Sequence, residues 1–334
     1  MHSASVKYLP AKDDKPALVY MGDVIGNVYA LNAQTGVPVW VKPLGISYPY
    51  HMVTGGMQVH EDTLYVPISS REVSTIVMES LTQGKVCCST HGLLQAVNAY
   101  TGEIKWTYHT TPPAALDATT GMMAPSGASV WGTPMIDAER RQVVIGTGQN
   151  FSRPTTTTSD AIIALDMDTG SVKWSFQANA NDAYTVACDA PVGYDIACPP
   201  PVEANRDFDF GAPPMLVSMP PAWGGKAIVA GGKNGVVYNI NPSTGHVNWV
   251  RRLGVGGSLG GVHWGMASDK FRVYVGITDF MGDKAKRIEE FQGGVTTGQA
   301  VRRCAAGPVC PGPVDRPRAV EEGLQDDDRR GPVR

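Results

Sequence analysis

Four segments of the chain carry one pattern: YALNAQTGVPVW (29–40), QAVNAYTGEIKW (95–106), IALDMDTGSVKW (163–174) and YNINPSTGHVNW (238–249). Each runs apolar alternation, Asn or Asp, two variable residues, Thr-Gly, three residues and Trp. The glycines Gly36, Gly102, Gly170 and Gly245 are spaced 66, 68 and 75 apart. A recurring unit of this size is the mark of a repeat architecture. Alternation such as Val28-Tyr29-Ala30-Leu31 predicts a half-buried strand. The Asn/Asp-x-x-Thr-Gly piece suits a type I turn whose last residue is left-handed, where Gly is free of strain. The return strand ends in a Trp whose flat, amphipathic ring can pack between neighbouring units. One such hairpin cannot bury its face alone, so the copies must stack.

Further strands are predicted at ALVYMGD (17–23), TLYVPIS (63–69), RQVVIGTG (141–148), MLVSM (215–219), KAIVAGG (226–232) and RVYVGITD (272–279), and no long helix is read. That makes about four strands per unit, and a radial array of four-stranded blades is the simplest all-β architecture for them. A two-sheet sandwich is the alternative. The spacing exceeds the ~40–45 residues of a minimal blade, so each unit carries an insertion of roughly twenty residues. Insertions of this kind are where binding residues concentrate. The high counts of Gly (38) and Pro (25) fit short strands joined by turns.

A net charge of −3 gives no electrostatic footprint for nucleic acid. No run approaches the ~20 apolar residues of a membrane helix. The opening MHSASVKYLPAKDDKP has no apolar core of a signal peptide. The six cysteines, at 87, 88, 188, 198, 304 and 310, form neither CxxC nor CxxCH, which argues against a zinc ribbon and an attached c-type haem. Cys188 and Cys198 flank a Pro/Gly loop at a spacing that can close a disulfide, which favours an oxidising compartment. The adjacent pair Cys87-Cys88 is open to three readings: two core thiols, ligands of one metal, or a strained ring.

The Trp-bearing hairpin, together with VPISSRE, VCCSTHG, SGASVWGTPMID, GTGQN, FQANANDAYTVACD, GGKNGVVY and GGVHWGMASD, resembles the quinoprotein alcohol dehydrogenases, in the polyvinyl-alcohol dehydrogenase-like branch. The likeness covers roughly residues 17–280. It implies an eight-bladed β-propeller holding pyrroloquinoline quinone (PQQ) and calcium on its axis, here incomplete, with about four to five blades. In this family adjacent cysteines form a disulfide ring on one face of the quinone and a tryptophan packs on the other. The resemblance therefore assigns Cys87 and Cys88 to one face and Trp131 to the other. Thr54, Ser69 and Ser129 match hydrogen-bond donors to the quinone. Glu72 matches the glutamate ligand of calcium, Gln149 or Asn150 the amide ligand, and Asp182 the aspartate that touches the metal and acts as base. Lys233 matches a cation at the reactive carbonyl. His263-Trp264 falls where relatives carry Asn-Trp against the cofactor.

The implied reaction is oxidation of a small-molecule or polymeric alcohol, with calcium as Lewis acid, Asp182 as base and Lys233 stabilising charge on the quinone. Electrons would leave to an external acceptor such as a cytochrome c, and the location would be periplasmic. Residues 1–280 are read as a partial propeller that upstream sequence, including a signal peptide, should precede, and the chain alone is expected to be inactive. Residues 281–334, rich in Arg, Pro, Gly and Asp, are read as a non-homologous, disordered tail in which Cys304 and Cys310 carry no function. A non-catalytic propeller scaffold, like the assembly factors of the bacterial outer membrane, is the alternative. Such a scaffold needs the Trp hairpin but neither the Cys pair nor the acids.

Overall fold

The computed structural model describes residues 6–47, 49–83, 88–118, 121, 123–189, 197–200, 206–269, 272–279 and 300–302. Among the described residues five antiparallel sheets of three or more strands follow one another along the chain, within the four to five blades expected. The first contains β1 (Lys7–Leu9), β2 (Leu18–Gly22), β3 (Asn27–Asn32) and β4 (Pro38–Pro43). The second contains β5 (His51–Met52), β6 (Gln58–His60), β7 (Thr63–Ser70), β8 (Leu93–Asn98) and β9 (Ile104–His109). A ribbon of β10 (Ala115–Leu116) and β11 (Met123–Ala124) precedes the third sheet, β12 (Met135–Asp137), β13 (Gln142–Gly146), β14 (Ala161–Asp166) and β15 (Val172–Gln177). The fourth is β16 (Met215–Ser218), β17 (Lys226–Gly231), β18 (Val236–Ile240) and β19 (Val247–Arg252). The last is β20 (Met266–Ser268), β21 (Arg272–Val275) and β22 (Ala300–Arg302).

The repeated turn has one geometry in all four copies. Asn32 Oδ1 accepts from the backbone N–H groups of Gln34 (2.9 Å) and Thr35 (3.1 Å). Asn98 does the same for Tyr100 and Thr101, and Asp166 for Asp168 and Thr169. Asn241 Oδ1 accepts from Ser243 N–H at 2.9 Å. Gly36, Gly102, Gly170 and Gly245 all lie at φ between 70° and 74°, where a side chain would be strained. A bulge follows in each hairpin, at Ala30/Leu31, Ala96/Val97, Ala164/Leu165 and Asn239/Ile240.

The tryptophans join one sheet to the next. Trp40 Nε1 donates to Ala99 O (2.9 Å), Trp106 Nε1 to Met167 O (3.0 Å) and Trp174 Nε1 to Pro242 O (2.9 Å). Each acceptor directly follows the turn Asn or Asp of the next unit. A Cβ on Gly102, Gly170 or Gly245 would meet the docked indole at 2.9, 2.6 or 2.7 Å. The repeat glycines thus serve both the turn and the contact between sheets. Apolar cores fill the spaces between sheets: Leu18, Tyr20 and Trp40 meet Leu64 and Val66, and Tyr65 and Leu94 meet Val143 and Ile163. Beyond them Val144 and Trp174 meet Ile228 and Tyr238, and Val229 and Val237 meet Val273 and Val275.

The structure departs from the sequence reading at one element. Glu72–Gln83 forms a helix, α1, in the insertion between β7 and β8, where no long helix was expected. Its β-branched residues lower helix propensity, which hides it in the sequence. Ser70 Oγ accepts from Glu72 N–H (3.0 Å) and starts the first turn. Val73 packs into a small core with Cys88, Phe151, Ala187, Ala197, Cys188 and Cys198. Cys188 and Cys198 are bonded to each other, as the spacing suggested. Cys88 is also in a disulfide, while Cys87 lies outside the described residues. The expectation for the tail, 281–334, also falls outside them, except that β22 pairs with β21. No helix among the described residues is long and apolar enough to cross a membrane.

Candidate active site

The loops at one end of successive sheets are laced together. Isolated bridges pair His91 with Gly127, Gly127 with Asn150, and Asn150 with Ala183. Val130 N–H donates to Ile68 O (3.3 Å) and Gly148 N–H to Ser129 O (2.9 Å). A Cβ on Gly55 would lie 2.8 Å from Trp131 O, so the loop carrying Thr54 runs against the backbone of Trp131. Short glycine contacts of this kind let residues far apart in the sequence share one site.

Trp131, Asp209, Lys233 and Asp207 form its centre. Trp131 Nε1 donates to Asp209 Oδ2 at 2.9 Å, and Gln149 N–H donates to Asp209 Oδ1 at 2.9 Å. Lys233 Nζ lies 2.8 Å from Asp207 Oδ1 and 3.7 Å from Asp209 Oδ2. Lys233, Asp207 and Asp209 are all buried. Burial pulls the Lys233 ammonium down, but Asp209 and Asp207 outweigh it and hold its pKa above the ordinary value. Burial, and then Asp209, push Asp207 up against the pull of Lys233. Asp160 is fully buried, and neither of its carboxyl oxygens has a hydrogen-bond partner. Burial first, then the charges of Asp182 and Asp209, raise its pKa well above the carboxylate range. Four buried acids around one ammonium leave negative charge in excess, and a proton retained on Asp160 relieves it.

The aromatic wall continues outward from Trp131. His263 and Trp264 stack on each other at 4.7 Å and 25°, and both meet Trp131 edge-on, at 5.5 and 5.6 Å. Thr54 Oγ1 and Ser69 Oγ share a hydrogen bond of 2.9 Å. Ser129 Oγ is buried with no partner, so a polar group is left open on this wall.

The residues expected to bind metal are engaged elsewhere. The Glu72 carboxylate is fully buried; it accepts from the N–H groups of Ser89 (3.0 Å) and Thr90 (2.8 Å) and from Thr90 Oγ1 (2.6 Å). Asp182 accepts from the N–H groups of Arg206 (2.8 Å), Asp207 (3.3 Å) and Phe208 (2.9 Å). Asn150 Nδ2 donates to Ser126 O and its Oδ1 accepts from Thr156 N–H. Gln149 Nε2 donates to Tyr184 O (3.2 Å). Among the described residues no group of three or more His, Cys, Asp or Glu is arranged to hold a metal ion.

Sequence reading did not single out Asp207, Asp209 or Asp160. The signal was present in RDFDFG, where two carboxylates alternate with two aromatics. Such a stretch is buried on both sides, and buried acids demand partners or protons. A second polar group was also overlooked. His51 Nδ1 accepts from Ile46 and Ser47 N–H, its Nε2 bonds His91 O (3.0 Å), and His91 Nε2 bonds His109 Nδ1 (2.8 Å). Burial, then His109 and His51, lower His91 to about 4.

Successive antiparallel sheets of three to five strands, the first four joined by docked tryptophans, define a propeller-type quinoprotein fold. The structure resembles the quinohemoprotein alcohol dehydrogenase ADHIIG of Pseudomonas putida HK5 over 78% of this chain and 42% of that one, with a TM-score of 0.59 at 18% identity. A europium-containing methanol dehydrogenase gives 0.58 over 81% and 51%, at 16% identity. Residues 1–197 match the family described as PQQ glucose/ethanol/alcohol dehydrogenase, β-propeller domain. The chain is 32% identical over 291 residues to polyvinylalcohol dehydrogenase of Sphingopyxis sp. (strain 113P3), and 33% identical over 288 residues to that of a Pseudomonas species. The chain therefore belongs to the PQQ-type dehydrogenase β-propeller family. Those alignments cover 85% and 84% of this chain, and it spans 43% of the length of each relative.

Proposed function

We propose that the chain contributes the cofactor wall of a PQQ-dependent alcohol dehydrogenase acting on a polymeric or secondary alcohol such as polyvinyl alcohol, with electrons passed to an external acceptor such as a cytochrome c. The periplasm is the matching compartment. The observation that carries the reading is the half-buried Trp131 bonded to Asp209, which lies beside buried Lys233, near the unpartnered Ser129 Oγ. A propeller acting only as scaffold has no need of it.

Groups that suit a quinone line this wall: the Trp131 indole, the unpartnered Ser129 Oγ, the Thr54 and Ser69 hydroxyls, and the positive charge of Lys233. When bound, the quinone supplies the acceptor for a hydride equivalent. Lys233, held charged by Asp207 and Asp209, stabilises negative charge that develops beside it. Asp209 Oδ1 and Oδ2 are oriented by Gln149 N–H and Trp131 Nε1, and we assign the hydroxyl proton of the alcohol to the Asp207–Asp209 pair. Asp182, expected as the base, instead braces the loop that carries that pair through three backbone N–H groups. The expected calcium ligands are engaged by other groups, with Glu72, Asp182 and Asn150 Oδ1 each accepting backbone N–H donors, so no step is routed through a metal.

Titration of the purified chain with PQQ, with and without calcium, tests the reading by quinone absorbance, followed by dye reduction with polyvinyl alcohol. Stoichiometric binding weakened at least tenfold by Trp131→Ala supports it. Absence of binding by the wild type refutes it.

A further inference from the structure

Trp264 is the most exposed of the large apolar side chains among the described residues, at 70%. It belongs to the same aromatic wall as Trp131 but is not packed away. It stacks on His263 at 4.7 Å and meets Trp131 in a T-shaped contact at 5.6 Å. His263 is fixed in turn by a hydrogen bond to the backbone of Leu259. Trp264 and His263 meet Trp131, Trp131 bonds Asp209, and Asp209 lies 3.7 Å from Lys233. A rigid indole presented to water at the rim of a polar site is a surface for ligands with apolar faces and polar edges.

We propose that Trp264, stacked on His263, is the platform on which a polyhydroxylated hydrocarbon chain lies while one of its hydroxyls reaches the Asp209–Lys233 centre. This inference rests on the alcohol-oxidising reading of that centre and names where its polymer docks. A chain alternating CH2 and CHOH presents methylene edges to the ring, and successive hydroxyls project away from it. The ring gives affinity without selecting register, so any hydroxyl along the chain can enter. A small alcohol spans only the inner centre and gains nothing from Trp264. Trp264 was expected against the cofactor; its exposure assigns it to the substrate side. Burial keeps His263 below its ordinary pKa, so the stack is uncharged at neutral pH.

The test is a binding titration of the quinone-free chain with polyvinyl alcohol, 2,4-pentanediol and dextran, followed by tryptophan fluorescence and by calorimetry. Polyvinyl alcohol binding is expected to weaken about threefold to tenfold in Trp264→Ala and to stay within about twofold in Trp264→Phe. The ring is exposed, so both variants should keep the wild-type melting temperature. Pentanediol should bind equally to wild type and Trp264→Ala. The proposal is overturned by equal polymer binding in wild type and Trp264→Ala, by no polymer binding in the wild type, or by dextran binding in place of polyvinyl alcohol. These readouts need no quinone, so failure of the quinone titration strikes the oxidation reading alone.

Discussion

Replacing Lys233 with Met tests the electrostatics of the site. The substitution keeps an apolar stem and removes the ammonium. That ammonium lies 2.8 Å from Asp207 and 3.7 Å from Asp209, and the residue is only 4% exposed. Removing one partner of a buried pair costs about 3–5 kcal/mol, because the remaining charge is left uncompensated. The loss depends on pH. Without Lys233, whose charge pulls the pKa of Asp207 down, Asp207 rises further above its unfolded value. A carboxyl raised in this way contributes stability that is full below its unfolded pKa and is lost as pH rises through the folded one. The deficit is therefore largest near neutrality and shrinks toward acid. Lys233 itself is raised, so its contribution in the wild type persists through this window and fades only in alkali. Urea unfolding followed by circular dichroism should show a loss of about 3–5 kcal/mol near pH 7.5, falling to less than about half near pH 5. Adding Asp207→Asn should restore much of it. A cost below about 1 kcal/mol, or an equal cost at both pH values, would show that the lysine does not neutralise buried charge.

Asp160→Asn should keep or raise the melting temperature at neutral pH, because an amide cannot ionise; calorimetry across pH checks this, and a large loss contradicts it. Burial lowers the folded pKa of His91 to about 4, so its stability contribution is full above its unfolded value and is lost as pH falls from there toward 4. His91→Gln should remove about 2 kcal/mol of acid-induced destabilisation, after allowance for solvent screening, in urea titrations compared at neutral and mildly acid pH. A methyl group on Gly211 would overlap Trp131 Cη2. Gly211→Ala should therefore displace the indole at a cost of about 1–3 kcal/mol and shift tryptophan fluorescence; an unchanged spectrum contradicts the packing.

The turns and docking tryptophans were legible because each depends on a short local pattern. Asn32, Thr35 and Gly36 set one turn within five residues, and Trp40 follows at a fixed offset. Copies of that pattern then required stacking. Helix α1 was not legible, because its β-branched residues mask the helix and its support is distant: Val73 packs beside the Cys188–Cys198 loop. The site was legible in part. Thr54, Ser69, Ser129, Trp131, Lys233, His263 and Trp264 were singled out; Trp131 and Lys233 lie beside Asp209, and His263 and Trp264 meet Trp131. The roles of the carboxylates were not legible, because they depend on which donors reach each one. Asp182 receives three backbone N–H groups from residues 206–208, whereas Asp209 faces an indole and an ammonium. Nothing in NANDAY or RDFDFG alone distinguishes these environments.

The most direct measurement is a crystal structure of this chain soaked with PQQ. Planar density against the Trp131 ring, with a carbonyl oxygen within hydrogen-bond reach of Lys233 Nζ and a polar atom on Ser129 Oγ, is the expected result. Quinone density elsewhere on the chain, with Trp131, Ser129 and Lys233 untouched, would contradict the account.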